Sequence, residues 1–116
     1  MLELIPDSKD INKILTNPNL MLRMMELALA KILKQRLDQL TAANSFYDYL
    51  KTGLGKPHPL SGKLKRCYGI SLTANVRLVV EPVSDSLDVE SLKKCTNIII
   101  KGVEDYHGGK SNWIIH

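Results

Sequence analysis

The sequence predicts an α+β fold, with N-terminal helices packed on one face of a twisted antiparallel sheet of about four to five strands. Three observations predict it. From Ile11 to Leu40 the apolar residues recur at three- and four-residue steps, the period of a helix with one buried face. After Pro59 the period falls to two, the spacing of half-buried strands. The period-two stretches follow one another through short turn-forming segments, which favours antiparallel pairing of neighbours. A chain of 116 residues suits one domain, taken as 1–116, with 108–116 as a C-terminal extension.

"MLELIP" alternates apolar and polar residues and stops at Pro6, as a short opening strand does. In "DSKDINKILTN" either Asp7 or Ser8 can cap a helix whose Ile11, Ile14 and Leu15 share a face. Asn17-Pro18-Asn19 ends that helix and starts the next. From Leu20 to about Ala43 a long helix is expected. Leu22, Met25, Leu29, Leu33, Leu37 and Leu40 form its apolar stripe, and Lys31, Lys34, Gln35 and Asp38 cover the other faces. Met21, Met24 and Met25 read as adaptable fillers between helix and sheet. Asn44 is expected to cap the short helix "SFYDYLKTG", which Gly53 and Gly55 end.

In the second half, "RCYGISL" and "VRLVVEP" are strands joined through "TAN" as a hairpin, and Pro82 stops the second. "VSDSLDVESLKK" is a polar loop with room for one helical turn from Asp88. "CTNIIIKGVEDYH" is the last long strand, and "GGKSNWIIH" a tail whose "NWIIH" is apolar enough to add a strand or to fold over the sheet.

Composition narrows the function classes. No charge-free apolar run approaches the roughly 20 residues that cross a bilayer, and "MLELIPDSKD" lacks the basic and apolar regions of a signal peptide. The expected compartment is therefore the cytoplasm. Cys67 and Cys95 have no metal-ligand spacing and read as two buried thiols. A net charge of +4 leans mildly towards polyanionic partners. Phosphate-binding glycine loops, zinc-ligand patterns and a nucleophile-elbow serine are all missing.

Three clusters carry possible chemistry. In the last strand Ile98 and Ile100 share one face, but Val103 falls on the other parity. Gly102 is therefore expected to form a β-bulge that changes which face follows. Beyond it Asp105 and His107 point one way, Glu104 and Tyr106 the other. Taken alone, the segment reads first as a strand running out into solvent. In "KPHPLSGKLKRCY", two prolines restrict the backbone around His58, and Lys63, Lys65 and Arg66 follow within eight residues. Cations for phosphate charge beside an imidazole for proton transfer would suit phosphodiester chemistry, although a solvated basic loop is the plainer reading. Arg77 alternates with Val76 and Leu78 and needs a partner, either Glu81 or Glu104 or a phosphate.

In order, "LKQRLDQLTAANSFYDYL", "HPLSGKLKRCYGISL", "VRLVVEP" and "TNIIIKGVEDYH" resemble the HigB-type toxins of bacterial toxin–antitoxin systems, in the RelE/ParE superfamily. The resemblance runs from about Met1 to His107. It implies a RelE/ParE-like fold and an mRNA endoribonuclease that works at the ribosome, without metal or cofactor, by attack of a ribose 2′-OH on the adjacent phosphate. It also implies a helix-turn-helix, HigA-like antitoxin as partner, with operator DNA bound only through that antitoxin. Position by position, His107 and Asp105 would handle protons with His58 assisting. Arg77, Lys63, Lys65 and Arg66 would bind and stabilise phosphate charge, and Tyr106 would stack on a base or donate its hydroxyl. Ser61 and Leu64 stand where many relatives carry basic residues, and the tail beyond His107 is longer than usual. Two other readings share the resemblance: a ParE-like toxin that binds DNA gyrase without nuclease chemistry, and a degenerate member that binds antitoxin without toxicity.

Overall fold

The first strand, β1 (Glu3–Pro6), finds its partner almost at the other end of the chain. In the computed structural model, which describes residues 1–116, β1 runs parallel to β5 (Asn97–His107), with Leu4 opposite Ile98. A parallel pair requires a crossover, and the intervening helices supply it from one face of the sheet.

Ser8, not Asp7, caps α1 (Lys9–Thr16): its hydroxyl accepts from the Ile11 amide at 3.1 Å. Asn17 ends α1 and caps α2 (Pro18–Met24), accepting from the Asn19 and Leu20 amides at 3.1 and 3.2 Å. The long helix expected from Leu20 to Ala43 is broken, and α3 runs from Leu27 to Ala42. At the break Met25 has extended backbone and sends its side chain into the core, whereas Leu22 and Leu27 remain exposed. The interruption resets the helical phase, so one apolar stripe does not run through both segments. Ser45 rather than Asn44 caps α4 (Phe46–Thr52), accepting from the Asp48 amide at 3.1 Å, and Gly53 ends it. The turn expected at Asp88 is the short helix α5 (Val89–Lys93). Hydrogen bonds from the Ser91 amide and hydroxyl and from Ser86 hold the Asp88 carboxyl below its ordinary range.

The remaining strands are β2 (His58–Pro59), β3 (Tyr68–Ser71), β4 (Val76–Pro82) and β6 (Lys110–Ile115), and the sheet order is β1-β5-β4-β3-β2 with β6 also on β5. β5 therefore carries β1 along its first half and β6 along its second, with β4 on its other side. The α+β class and the helices against the sheet stand as expected. The sheet differs in two respects: it has six strands, and β1 makes it mixed rather than wholly antiparallel. The sixth strand is the tail, folded back at Gly108-Gly109 so that His107 faces Lys110.

The core lies between helices and sheet. Ile11, Leu33, Leu40, Phe46 and Tyr49 meet Ile70, Leu78, Val80, Ile98, Ile100 and Val103. Each such large apolar side chain contributes roughly 1.5–3 kcal/mol by leaving water. Tyr49 donates its hydroxyl to the Leu54 carbonyl at 2.5 Å, and burial pushes its pKa up to about 12, against a smaller opposing pull from Arg36. Cys67 and Cys95 are free and buried, and burial is the main reason that both thiols are pushed up.

The bulge expected at Gly102 is present. Val79 faces Gly102 but Val80 faces Ile100, so Lys101 and Gly102 together oppose one residue of β4. Upstream, Ile98 and Ile100 point into the core; downstream, Val103 does, at 1% exposure. Gly102 has φ +149°, and an added Cβ would strike the Ile115 carbonyl and come within 3.0 Å of the Trp113 ring. Only glycine lets β6 and its indole lie that close.

Candidate functional site

The face of the sheet away from the helices gains its chemistry from one cross-strand pair. Arg77 on β4 sits directly opposite Glu104 on β5. Its Nε and terminal nitrogen reach the same carboxylate oxygen, Oε1, at 2.6 and 2.5 Å. Ser111 on β6 donates to the other oxygen, Oε2, at 2.5 Å. Glu104 is only 2% exposed, so this pairing is what allows a carboxylate to stay buried there. Arg77 is 20% exposed, and its guanidinium lies 4.8 Å from the centre of the Tyr106 ring. The cation is thus aimed by Glu104, faced by an aromatic ring and still reachable from solvent.

His58 reaches the same place from the opposite edge. β2 pairs with β3 with His58 opposite Gly69. A Cβ on Gly69 would stand 3.2 Å from Arg77 Cδ, from His58 Cε1 and from Leu60 Cδ2. The missing side chain is what lets the imidazole and the arginine stem share one floor. His58 Nδ1 is 3.1 Å from the Lys56 carbonyl. A carbonyl only accepts, so this bond puts the proton on Nδ1 and leaves Nε2 with a free lone pair in the neutral ring. His58, Lys63, Arg77, Glu104, Tyr106 and Trp113 line an open pocket of about 630 Å³.

His58, Arg77, Asp105 and His107, to which the resemblance gives parts in one reaction, do not converge on one face. Asp105 and His107 share the parity of Val103, the side that faces the helices. Both are partly or wholly exposed, they bond to each other, Nδ1 to Oδ1 at 2.8 Å, and they do not line the pocket. The bulge does switch parity, but it brings Glu104 and Tyr106 to Arg77 in their place. Of the three basic residues, Lys63 lines the pocket, Lys65 is exposed outside it, and Arg66 donates to the Ser84 carbonyl at 2.7 Å. Glu81, the other candidate partner for Arg77, instead faces Lys101 at 3.9 Å, while Asp7 holds the same ammonium at 3.1 Å. Burial opposes the charge on Lys101, but the Asp7 hydrogen bond and the charges of Asp7 and Glu81 outweigh it and raise its pKa.

Sequence reasoning missed Ser111 and Trp113 as site residues and named Glu104 only as a possible ion-pair partner. The signal for Glu104 was its shared parity with Tyr106 together with the unpartnered charge of Arg77. For Ser111 no sequence signal existed, because its role depends on the register of β6. The assembled groups can do three things: hold a phosphate-like anion with Arg77 and Lys63, accept a proton at His58 Nε2, and offer the Tyr106 hydroxyl or ring. No group of three or more His, Cys, Asp or Glu side chains is arranged to hold a metal ion.

No family model matches the sequence, and no curated protein matches it. Two solved structures match the fold. One is a YoeB-YefM complex from Staphylococcus aureus, with TM-score 0.54 and 17% identity over 92% of this chain and 98% of that one. The other is a YoeB/ParE toxin from Agrobacterium tumefaciens, with TM-score 0.56 and 14% identity over 91% of this chain and 99% of that one. The fold is the RelE/ParE-like toxin fold.

Proposed function

We propose that this chain is the toxin of a type II toxin–antitoxin pair, of the HigB kind, and that it is an endoribonuclease cutting mRNA at the ribosome in the cytoplasm. The observation that carries the reading is the oriented pair in one open pocket: Arg77 fixed by buried Glu104, with His58 Nε2 free across Gly69. In the proposed reaction His58 Nε2 takes the proton of a ribose 2′-OH. The O2′–P bond forms and the P–O5′ bond breaks, giving a 2′,3′-cyclic phosphate and a 5′-hydroxyl. Tyr106 supplies the proton to O5′. Arg77 and Lys63 stabilise the charge that builds on the non-bridging oxygens, which is where preorganised cations contribute most. The scheme uses no metal, and Asp105, His107, Lys65 and Arg66 stand outside the chemical step. Lys65 and Arg66 extend the basic rim towards the RNA backbone.

The proposed partner that silences the toxin is a helix-turn-helix, HigA-like antitoxin, through which alone operator DNA is contacted. The test is to incubate the purified protein with ribosomes programmed with a defined message and to map the new ends. Cuts bearing 2′,3′-cyclic phosphate and 5′-hydroxyl ends, lost in Arg77→Ala, are expected. An intact message, with DNA breaks on induction in cells instead, would point to the gyrase-binding reading, and the absence of both to a non-toxic antitoxin binder.

A further inference from the structure

We propose that Ser111, in the C-terminal strand, is a positioning residue for the pocket: it fixes Glu104 and, through Glu104, the aim of the Arg77 guanidinium. The inference rests on the reading of the pocket given above and extends it to a strand that the family resemblance does not reach. Glu104 has two oxygens and divides them. Oε1 accepts both Arg77 nitrogens, and Oε2 accepts from Ser111 at 2.5 Å. No other hydrogen bond reaches Oε2, and the residue is 2% exposed. Without the serine hydroxyl, the carboxylate keeps a buried lone-pair edge with no donor, and its low-cost response is to rotate towards water. Rotation carries Oε1 away from Arg77.

The placement of Ser111 is built into the fold rather than incidental. Its register is set by Tyr106 facing Ser111 and Glu104 facing Trp113, with a register shift just below at Val103. Trp113 in turn lies against the bare Cα of Gly102 and stacks on His116, with centroids 4.4 Å apart and planes 8° apart. The tail is thus anchored at its far end, and the anchor delivers one hydroxyl to the buried carboxylate.

The decisive readout is the Arg77 Nε–H itself, followed by NMR as a side-chain resonance with its hydrogen-exchange rate. In the wild-type chain it is expected to be resolved and slowly exchanging. In Ser111→Ala the exchange is expected to quicken about tenfold or more, as for loss of one hydrogen bond to a charged group. Ser111→Thr, which restores the hydroxyl, is expected to return it. In message cleavage, kcat is expected to fall about tenfold or more in Ser111→Ala with KM within about threefold, because the cation still binds but is no longer aimed. Asn112→Ala, on the same strand but the other face, serves as the control and should alter neither. Unchanged Nε–H exchange in Ser111→Ala, or a threonine variant no better than alanine, overturns the proposal. A wild-type chain that cuts no RNA but still shows the exchange pattern overturns the proposed function and leaves the positioning role standing.

Discussion

Replacing Gly102 by alanine tests how the sheet is assembled around the pocket. The backbone there has φ +149°, a region that L side chains rarely adopt, and holding alanine in it costs about 1–3 kcal/mol. The new methyl would strike the Ile115 carbonyl and crowd two atoms of the Trp113 ring at 3.0 Å. Relieving that contact means lifting β6 from β5, a repacking that costs about 1–3 kcal/mol more. Alanine also stiffens the unfolded chain, which returns about 0.4–1 kcal/mol. The net loss is therefore about 1–6 kcal/mol, set against the roughly 5–15 kcal/mol that holds an ordinary domain together. Urea melts measure it directly. Trp113 is the chain's single tryptophan, so its emission reports on β6 without interference. The expected result is a lower midpoint and red-shifted native emission, with weaker message cleavage as Ser111 leaves Glu104. A variant within about 0.5 kcal/mol of wild type, with unchanged emission, would show that the bulge and the indole are not coupled as described.

Two further substitutions test local parts of the account. Ser45→Ala removes the α4 cap and should cost about 1 kcal/mol in a urea melt, whereas Asn44→Ala should cost little; equal losses would return the cap to Asn44. Tyr49 has a folded-state pKa pushed up from 10.0 to about 12, so its contribution is complete below pH ~10 and is lost as pH rises towards 12, in all about 2–3 kcal/mol. Tyr49→Phe should be about 1 kcal/mol less stable at pH 8, from the lost bond to Leu54, and should close that gap by pH 11; a gap that stays constant would contradict the burial of the phenol.

Much of the fold was legible because period is local. The steps of three and four around Leu33 and Leu40, the alternation in "VRLVVEP" and the parity break at Gly102 each depend on a few neighbouring residues. What was not legible depends on partners distant in sequence. β1 looks like any edge strand until Asn97–Ile100 lies parallel beside it. The helix break at Met25 has no Gly or Pro to announce it, because burial of one side chain decides it. At the site, the bulge itself was readable, but which face it handed to which pair was not. That follows from Val103 rejoining the core, which commits Asp105 and His107 to its side and leaves Glu104 and Tyr106 for Arg77. Glu104 escaped attention as a site residue because an acid in "VEDYH" looks solvated until its cross-strand neighbour is known. Gly69 is missed for the same reason, since its value lies in the side chain it lacks beneath His58 and Arg77.

The central claim is that proton transfer belongs to the pocket of His58, Arg77, Glu104 and Tyr106, not to the Asp105–His107 pair on the other face. Single-turnover cleavage of ribosome-bound message by His58→Gln and His107→Gln, each checked for an unchanged melt, compares the two histidines directly. The account predicts a loss of about 10²–10⁴-fold for His58→Gln, the usual worth of a general base, and a change within about threefold for His107→Gln. Full activity in His58→Gln, or a His107→Gln variant as inactive as a missing base, would contradict it.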